Sequence, residues 1–304
     1  VSSRLLVVIA LITAWATACS GGSGTAGSGD EIVVTTNILG DVVRNIVGDA
    51  ASVRVLMQPN ADPHSFGVSA QDAAAMGGAG LIVHNGLGLE ENVARNVESA
   101  SAQGIPTLAV GEHIDPIEYT VGESSGTPDP HFWTDPQRMM TAVDVIEETI
   151  VADVAGIDGD AIARNAENYR ARLRQLDEAM SQGFAALPPE RRKLVTNHHV
   201  LGYLAQRFDF EVIGAVVPSG TTLAAPSASD LQSLVGAIES ARVPAIFVDS
   251  SQPEKLARVL ARDAGVQVQI VPLYSESLSP PGTPADTYLD MMRANTDAII
   301  AGLQ

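Results

Sequence analysis

One amphipathic segment, Asp160 to Leu187, constrains this chain more than any other. Apolar residues recur at Ile162, Ala166, Tyr169, Leu173, Leu176, Met180, Phe184 and Leu187. Steps of three and four put them on one face of an α-helix, and Arg164, Glu167, Arg170, Arg174 and Asp177 occupy the rest of the surface. Pro188 and Pro189 stop the helix, because proline lacks an amide proton and disfavours helical geometry in the residue before it. Roughly 28 residues at about 1.5 Å each reach about 40 Å, well beyond an average globular helix. Short β-branched runs alternate with amphipathic helices on both sides of it. The chain therefore reads as two α/β lobes, each with a mostly parallel four-stranded sheet flanked by helices, joined by one long backbone helix.

The expected boundaries are 31–159 for the first lobe, 160–187 for the helix and 188–304 for the second. In the first lobe, strands are expected at Glu31–Thr36, Ser52–Met57, Leu81–His84 and Thr107–Val110, with helices at Gly40–Val47, Leu89–Ser101 and Pro136–Val154. In the second, strands are expected near Leu194–Thr196, Glu211–Val217, Ala245–Val248 and Val266–Val271. Helices are expected near Leu201–Phe208, Ser229–Ala241, Pro253–Ala264 and Thr287–Leu303. Ser227 and Asp230 have capping-box spacing. Pro218 to Pro226 reads as a loop over a cleft.

The 304 residues suffice for two lobes of ordinary size. A net charge of −18 argues against nucleic acid, which needs a basic surface. At the N-terminus, Arg4 precedes an apolar run, Leu5 to Ala14, and then Ala16-Thr-Ala-Cys19. The run is short for a membrane span and reads as a signal peptide, 1–18. Its ending resembles a bacterial lipobox, which makes Cys19 the lipid-bearing residue and 19–30 a Gly/Ser-rich tether. Cys19 is the one cysteine, so no intramolecular disulfide is expected.

The chemistry rests on histidine. Asp62-Pro63-His64 and Asp129-Pro130-His131 repeat one tripeptide within the first lobe. Proline fixes its own φ and extends the preceding residue, so each imidazole is presented from a stiff turn. In the second lobe Leu194-Val-Thr196 runs into Asn197-His198-His199, and Val271-Pro-Leu-Tyr274 runs into Ser275-Glu276-Ser277. Open α/β sheets bind ligands at the carboxyl ends of their strands. His64, His131, His198 and Glu276, two donors from each lobe, would close a four-coordinate site suited to Zn²⁺. His84 reads as a core residue and His113 as a solvated one. His199 competes with His198, and only one of these neighbours is expected to bind. Asp249 reads as a group that orients an imidazole, and Met291 and Met292 as core.

These motifs resemble the zinc/manganese solute-binding lipoproteins of ABC importers, and the resemblance covers the mature chain. It is carried by Asp62-Pro-His64, Asn85-Gly-Leu-Gly-Leu-Glu90, Asp129-Pro-His-Phe-Trp-Thr-Asp-Pro136, Thr196-Asn-His198 and Asp286-Thr-Tyr-Leu-Asp-Met-Met292. The resemblance implies that His64 and His131 are the first two ligands and His198 the third, a position that is histidine in zinc receptors and commonly glutamate in manganese ones. Glu276 stands where the family usually has aspartate. Asn197 to Tyr203 with Pro218 to Thr222 is similar to the zinc-binding AztC proteins. The His- and acid-rich loop of many zinc members is absent, since Glu112 to Gly126 contains only His113.

The resemblance implies an extracytoplasmic, lipid-anchored monomer on the periplasmic or cell-surface side of a bacterial cell membrane. It would deliver Zn²⁺ to an ABC permease and its ATPase, with room for a metallochaperone, and would not be an enzyme. Alternatives are a manganese (Mn²⁺) receptor of the same family, a secreted zinc hydrolase, a siderophore or corrinoid receptor, and a metal-dependent adhesin. No His-Glu-x-x-His motif favours the hydrolase. Aromatics at 4% of the chain disfavour a wide aromatic cleft.

Overall fold

The computed structural model describes residues 31–120, 124–263 and 268–304. The expected signal segment, Cys19 and the tether lie outside the described residues. Two four-stranded parallel sheets organise the chain. The first contains β1 (Ile32–Val34), β2 (Val53–Val55), β3 (Leu81–His84) and β4 (Thr107–Ala109) in the order β2-β1-β3-β4. The second contains β5 (Lys193–Thr196), β6 (Glu211–Ala215), β7 (Ala245–Asp249) and β8 (Gln269–Leu273) in the order β6-β5-β7-β8. The lobes thus repeat one topology. In each, the strand order reverses beside the first strand, which opens a crevice at the carboxyl ends.

Between the sheets runs α5 (Gly159–Ala185), about 40 Å long. Asp158 caps it by accepting from the backbone N–H groups of Asp160 and Ala161, which satisfies donors the helix leaves open. Ile162, Ala166, Tyr169, Leu173, Leu176, Met180 and Phe184 are all buried on one face. Leu187 is buried too, in the turn after the helix. This face belongs to a single apolar cluster that includes Ile32 and Leu81 of the first sheet and Leu194 and Phe247 of the second. Each large apolar side chain so buried contributes about 1.5–3 kcal/mol.

Near its start α5 packs on α1 (Asn37–Val47), where Asn165 donates to the Ile46 carbonyl at 3.1 Å. Near its end the Phe184 ring packs tilted against Phe208 of α6 (Gly202–Phe208), centroids 5.1 Å apart, and edge-on against Phe210 at 5.0 Å. Along its length it meets α4 (Pro136–Asp153) and α9 (Tyr288–Leu303). The outer faces of the sheets have their own clusters. In the first lobe α2 (Ala70–Met76) and α3 (Ala94–Ala102) supply Met76 and Val97; in the second α7 (Ala228–Ala241) and α8 (Lys255–Asp263) supply Ile238 and Leu260.

Some elements begin elsewhere than the sequence predicts. The helix expected from Leu89 starts at Ala94, because Gly86, Leu87 and Gly88 turn through positive φ and Glu90 folds back to accept from the N–H groups of Asn85 and Gly86. The last strand is displaced toward Leu273, and the start of its expected span, 266–267, lies outside the described residues. The Ser227–Asp230 capping box is present. Met291 and Met292 are buried. Among the described residues no helix is long and apolar enough to cross a membrane.

Candidate metal centre

The two Asp-Pro-His tripeptides fold alike. Asp62 Oδ1 accepts from His64 N at 2.9 Å, and Asp129 Oδ1 accepts from His131 N at 2.9 Å, turns that a short carboxylate side chain favours. Their remaining contacts then diverge. Asp129 Oδ1 also reaches Nδ1 of His131 at 2.8 Å, where the Tyr119 hydroxyl lies at 3.1 Å. Asp62 instead turns Oδ2 toward Ser65 and toward the second lobe.

His198 follows the end of β5, and its carbonyl accepts from Thr196 Oγ1 at 2.6 Å. Asn197 Nδ2 lies 3.1 Å from His198 Nδ1. His199 is tied to a different loop, with its backbone N–H donating to the Ser219 carbonyl at 3.1 Å.

Glu276 sits in the loop after β8, which both lobes hold. Asp249, at the end of β7, accepts from Ser275 N at 3.1 Å and Ser275 Oγ at 2.6 Å. From the first lobe, Trp133 Nε1 donates to the Ser275 carbonyl at 2.8 Å. Asn37 donates to Ser277 Oγ at 2.8 Å and accepts from Leu278 N at 2.9 Å.

His64, His131, His198 and Glu276 converge, each offering one donor atom, with all four atoms within 4.8 Å of one another. The three imidazoles come from loops up to 134 residues apart, a separation given by their positions 64 and 198. Glu276 Oε1 lies 3.1 Å from His64 Nε2, 3.2 Å from His198 Nε2 and 3.5 Å from His131 Nε2. His131 Nε2 lies 3.3 Å from His64 Nε2 and 3.4 Å from His198 Nε2. None of the four residues is more than 1% exposed. Burial would push the Glu276 carboxyl up, but His198, His131 and His64 together hold it well below the usual carboxylate range. Burial would likewise lower His131, yet Asp129 and Glu276 raise it to about 9. His64 Nδ1 and Glu276 Oε2 are buried without a hydrogen-bond partner among the described residues.

Three nitrogens and a carboxylate oxygen at these separations form a set that can hold a divalent ion. His84 is half-buried at the end of β3 and His113 is exposed; both stand outside the cluster. His199, buried beside the cluster, is also outside it, and burial with the adjacent His198 lowers its pKa. Asp249 reaches the centre indirectly: its carboxylate fixes Ser275, and its N–H donates to Asn197 Oδ1 at 3.2 Å. Sequence reasoning does not single out Asn37, Tyr119 or Asn197. Trp133 is visible only as part of the Asp-Pro-His-x-Trp run.

A family profile described as zinc-uptake complex component A, periplasmic, matches residues 32–302. The manganese-binding lipoprotein MntA of Halalkalibacterium halodurans is 31% identical over 99% of this chain and 97% of its own. The zinc-binding protein TroA of Treponema pallidum is 33% identical over 93% and 92%. Its solved structure, a periplasmic zinc-binding protein, superimposes with a TM-score of 0.82, covering 90% of this chain and 99% of TroA. A Mn-bound periplasmic metal-binding protein from Candidatus Liberibacter asiaticus gives 0.79 at 26% identity, covering 90% and 100%.

Proposed function

Since this chain belongs to the ZnuA family of periplasmic metal-binding receptors of ABC transporters, we propose that it captures one Zn²⁺ in the cleft and delivers it to an importer. One geometric observation carries the choice of zinc. Five edges of the donor cluster measure 3.1 to 3.5 Å. A tetrahedron whose arms are 2.0–2.1 Å, the usual zinc–nitrogen length, has edges of about 3.3–3.4 Å. Five of the six edges therefore match a tetrahedral zinc shell, which supports zinc. Four donors fill that shell and all are buried, which supports a carrier and leaves no corner for a hydrolytic water.

The remaining parts of the reading follow from relatives and sequence. Cys19 would bear the lipid, 19–30 would be the tether, and the lobes would stand on the outer side of the cell membrane. The partners would be a permease and its ATPase.

A manganese receptor is the second reading. Glu276 Oε2 is buried and unpartnered among the described residues, so a bidentate carboxylate could add a fifth donor, and MntA is named for manganese. Metal analysis of the purified protein, followed by competition between equal Zn²⁺ and Mn²⁺, tests both. Zinc at one per chain, with Mn²⁺ displaced, is the expected result; retention of Mn²⁺ would replace zinc by manganese.

A further inference from the structure

The three imidazoles of the cluster are not held equally. His131 Nδ1 has Asp129 and Tyr119 as neighbours, and His198 Nδ1 has Asn197. His64 Nδ1 has no partner among the described residues. Outside the Nε2 contacts within the cluster itself, His64 is placed by its backbone turn, in which Asp62 Oδ1 accepts from His64 N. The other oxygen, Asp62 Oδ2, accepts from Ser65 Oγ at 2.9 Å within the first lobe. From the second lobe it accepts from Thr222 Oγ1 at 2.7 Å and Gln252 Nε2 at 3.2 Å.

Thr222 belongs to the loop Pro218–Pro226, which leans across the cleft. Its other contacts with the first lobe include Gly220 N donating to Ser124 Oγ at 3.2 Å and Thr221 Oγ1 donating to Glu91 at 2.9 Å. At Gly220 the approach is so close that a Cβ would collide with the Tyr119 hydroxyl. Thr221 and Glu91 meet at an exposed position, where water competes. A longer contact, Tyr119 Oη donating to the Gly220 carbonyl at 3.5 Å, joins the loop to His131; the Asp62 bonds are charge-assisted and partly buried, and they join it to the turn that carries His64.

We propose that His64 is the ligand withdrawn first when the ion leaves, and that Asp62, Thr222 and Gln252 form the catch that keeps it in place. Asp62 is a positioning residue: one oxygen holds the His64 turn, and the other reports whether the second-lobe loop is seated. With the second-lobe side of the cleft away, Asp62 Oδ2 loses two of its three donors, Thr222 of the loop and Gln252 beyond β7, and the turn loosens. This inference rests on the receptor reading above.

The test is stopped-flow measurement of zinc association, and of zinc dissociation into excess chelator, on the purified protein. Thr222→Val with Gln252→Leu removes the two second-lobe donors while leaving Asp62, Ser65 and the His64 backbone unsubstituted. Dissociation should accelerate at least tenfold while association stays within threefold. Thr222→Ser, which keeps the hydroxyl, should retain the wild-type rate in the single-site comparison with Thr222→Val. Thr221→Val should change dissociation less than twofold. Unchanged dissociation in the double variant would overturn the catch, as would equal acceleration by Thr221→Val and Thr222→Val. Wild-type protein that binds neither Zn²⁺ nor Mn²⁺ would overturn the receptor reading, and the catch with it.

Discussion

Glu276 Oε1 lies 3.1 Å from His64 Nε2, a contact between opposite lobes in which each residue is 1% exposed. The carboxylate is the one anionic donor of the cluster and is held ionised, against the effect of burial, by three imidazoles. Glu276→Gln keeps its shape and removes its charge. The expected loss is on the order of 3 kcal/mol, roughly a hundredfold in the zinc Kd, read by chelator competition. A change below threefold would remove Glu276 from the ligand set.

The histidines divide by position. His64→Ala, His131→Ala and His198→Ala should each weaken zinc binding by a factor of ten or more, whereas His84→Ala and His113→Ala should not. Titration calorimetry of the five variants separates the groups. Equal effects across all five would show that convergence at the cleft does not select the ligands.

Binding should release protons. In the metal-free protein burial opposes the charge on His131, but Asp129 and Glu276 overcome it and raise the imidazole to about 9. Because the folded-state value lies above the ordinary one, proton binding stabilises the metal-free fold fully below about pH 6.5. That contribution is lost as pH rises through about 9. Zinc must displace this proton, so affinity should increase with pH up to about 9. Calorimetry in buffers of different ionisation enthalpy should detect about one proton released per ion near pH 7.5. Asp129→Asn should reduce that number.

Asn37 is the first-lobe anchor of the Glu276 loop. Asn37→Ala removes its bonds to Gln58 O, Ser277 Oγ and Leu278 N. Buried partners left unmatched cost about 1–3 kcal/mol each, so a loss of about 2 kcal/mol or more is expected in urea denaturation, together with weaker zinc binding. Stability and affinity both equal to wild type would show that the loop is held without it.

Phe184 closes the far end of α5 against Phe208 and Phe210. Phe184→Ala should cost about 3–5 kcal/mol in chemical denaturation. A loss below about 1 kcal/mol would mean that this contact does not anchor the helix.

The architecture is legible in sequence where pattern is local. The helical face from Ile162 to Phe184 is buried at every position its spacing selects, because a stripe of that length has only one way to leave water. The helix α2 has no such mark: Ala70-Gln-Asp-Ala-Ala-Ala-Met76 carries a single buried residue, too little for a period. The candidate donors His64 and His131 are readable because the proline turns are local, and His198 and Glu276 because strand ends point at a crevice. What holds them is not. Asn37 and Leu278 stand 241 positions apart, and Thr222 and Asp62 stand 160 apart. In sequence each looks like an ordinary polar loop or cap residue, and only the packed lobes make it a partner.

The apolar cluster along α5 draws side chains from both sheets into one continuous interior. A molecule fused in this way is less a jaw than a strongbox: parting its halves wholesale would mean breaking its own core, so in the proposed receptor loading and unloading would fall to small movements at the mouth. Full and vacant forms should then share nearly one silhouette. A transporter that must dock the first and ignore the second has to sense the loops around the opening.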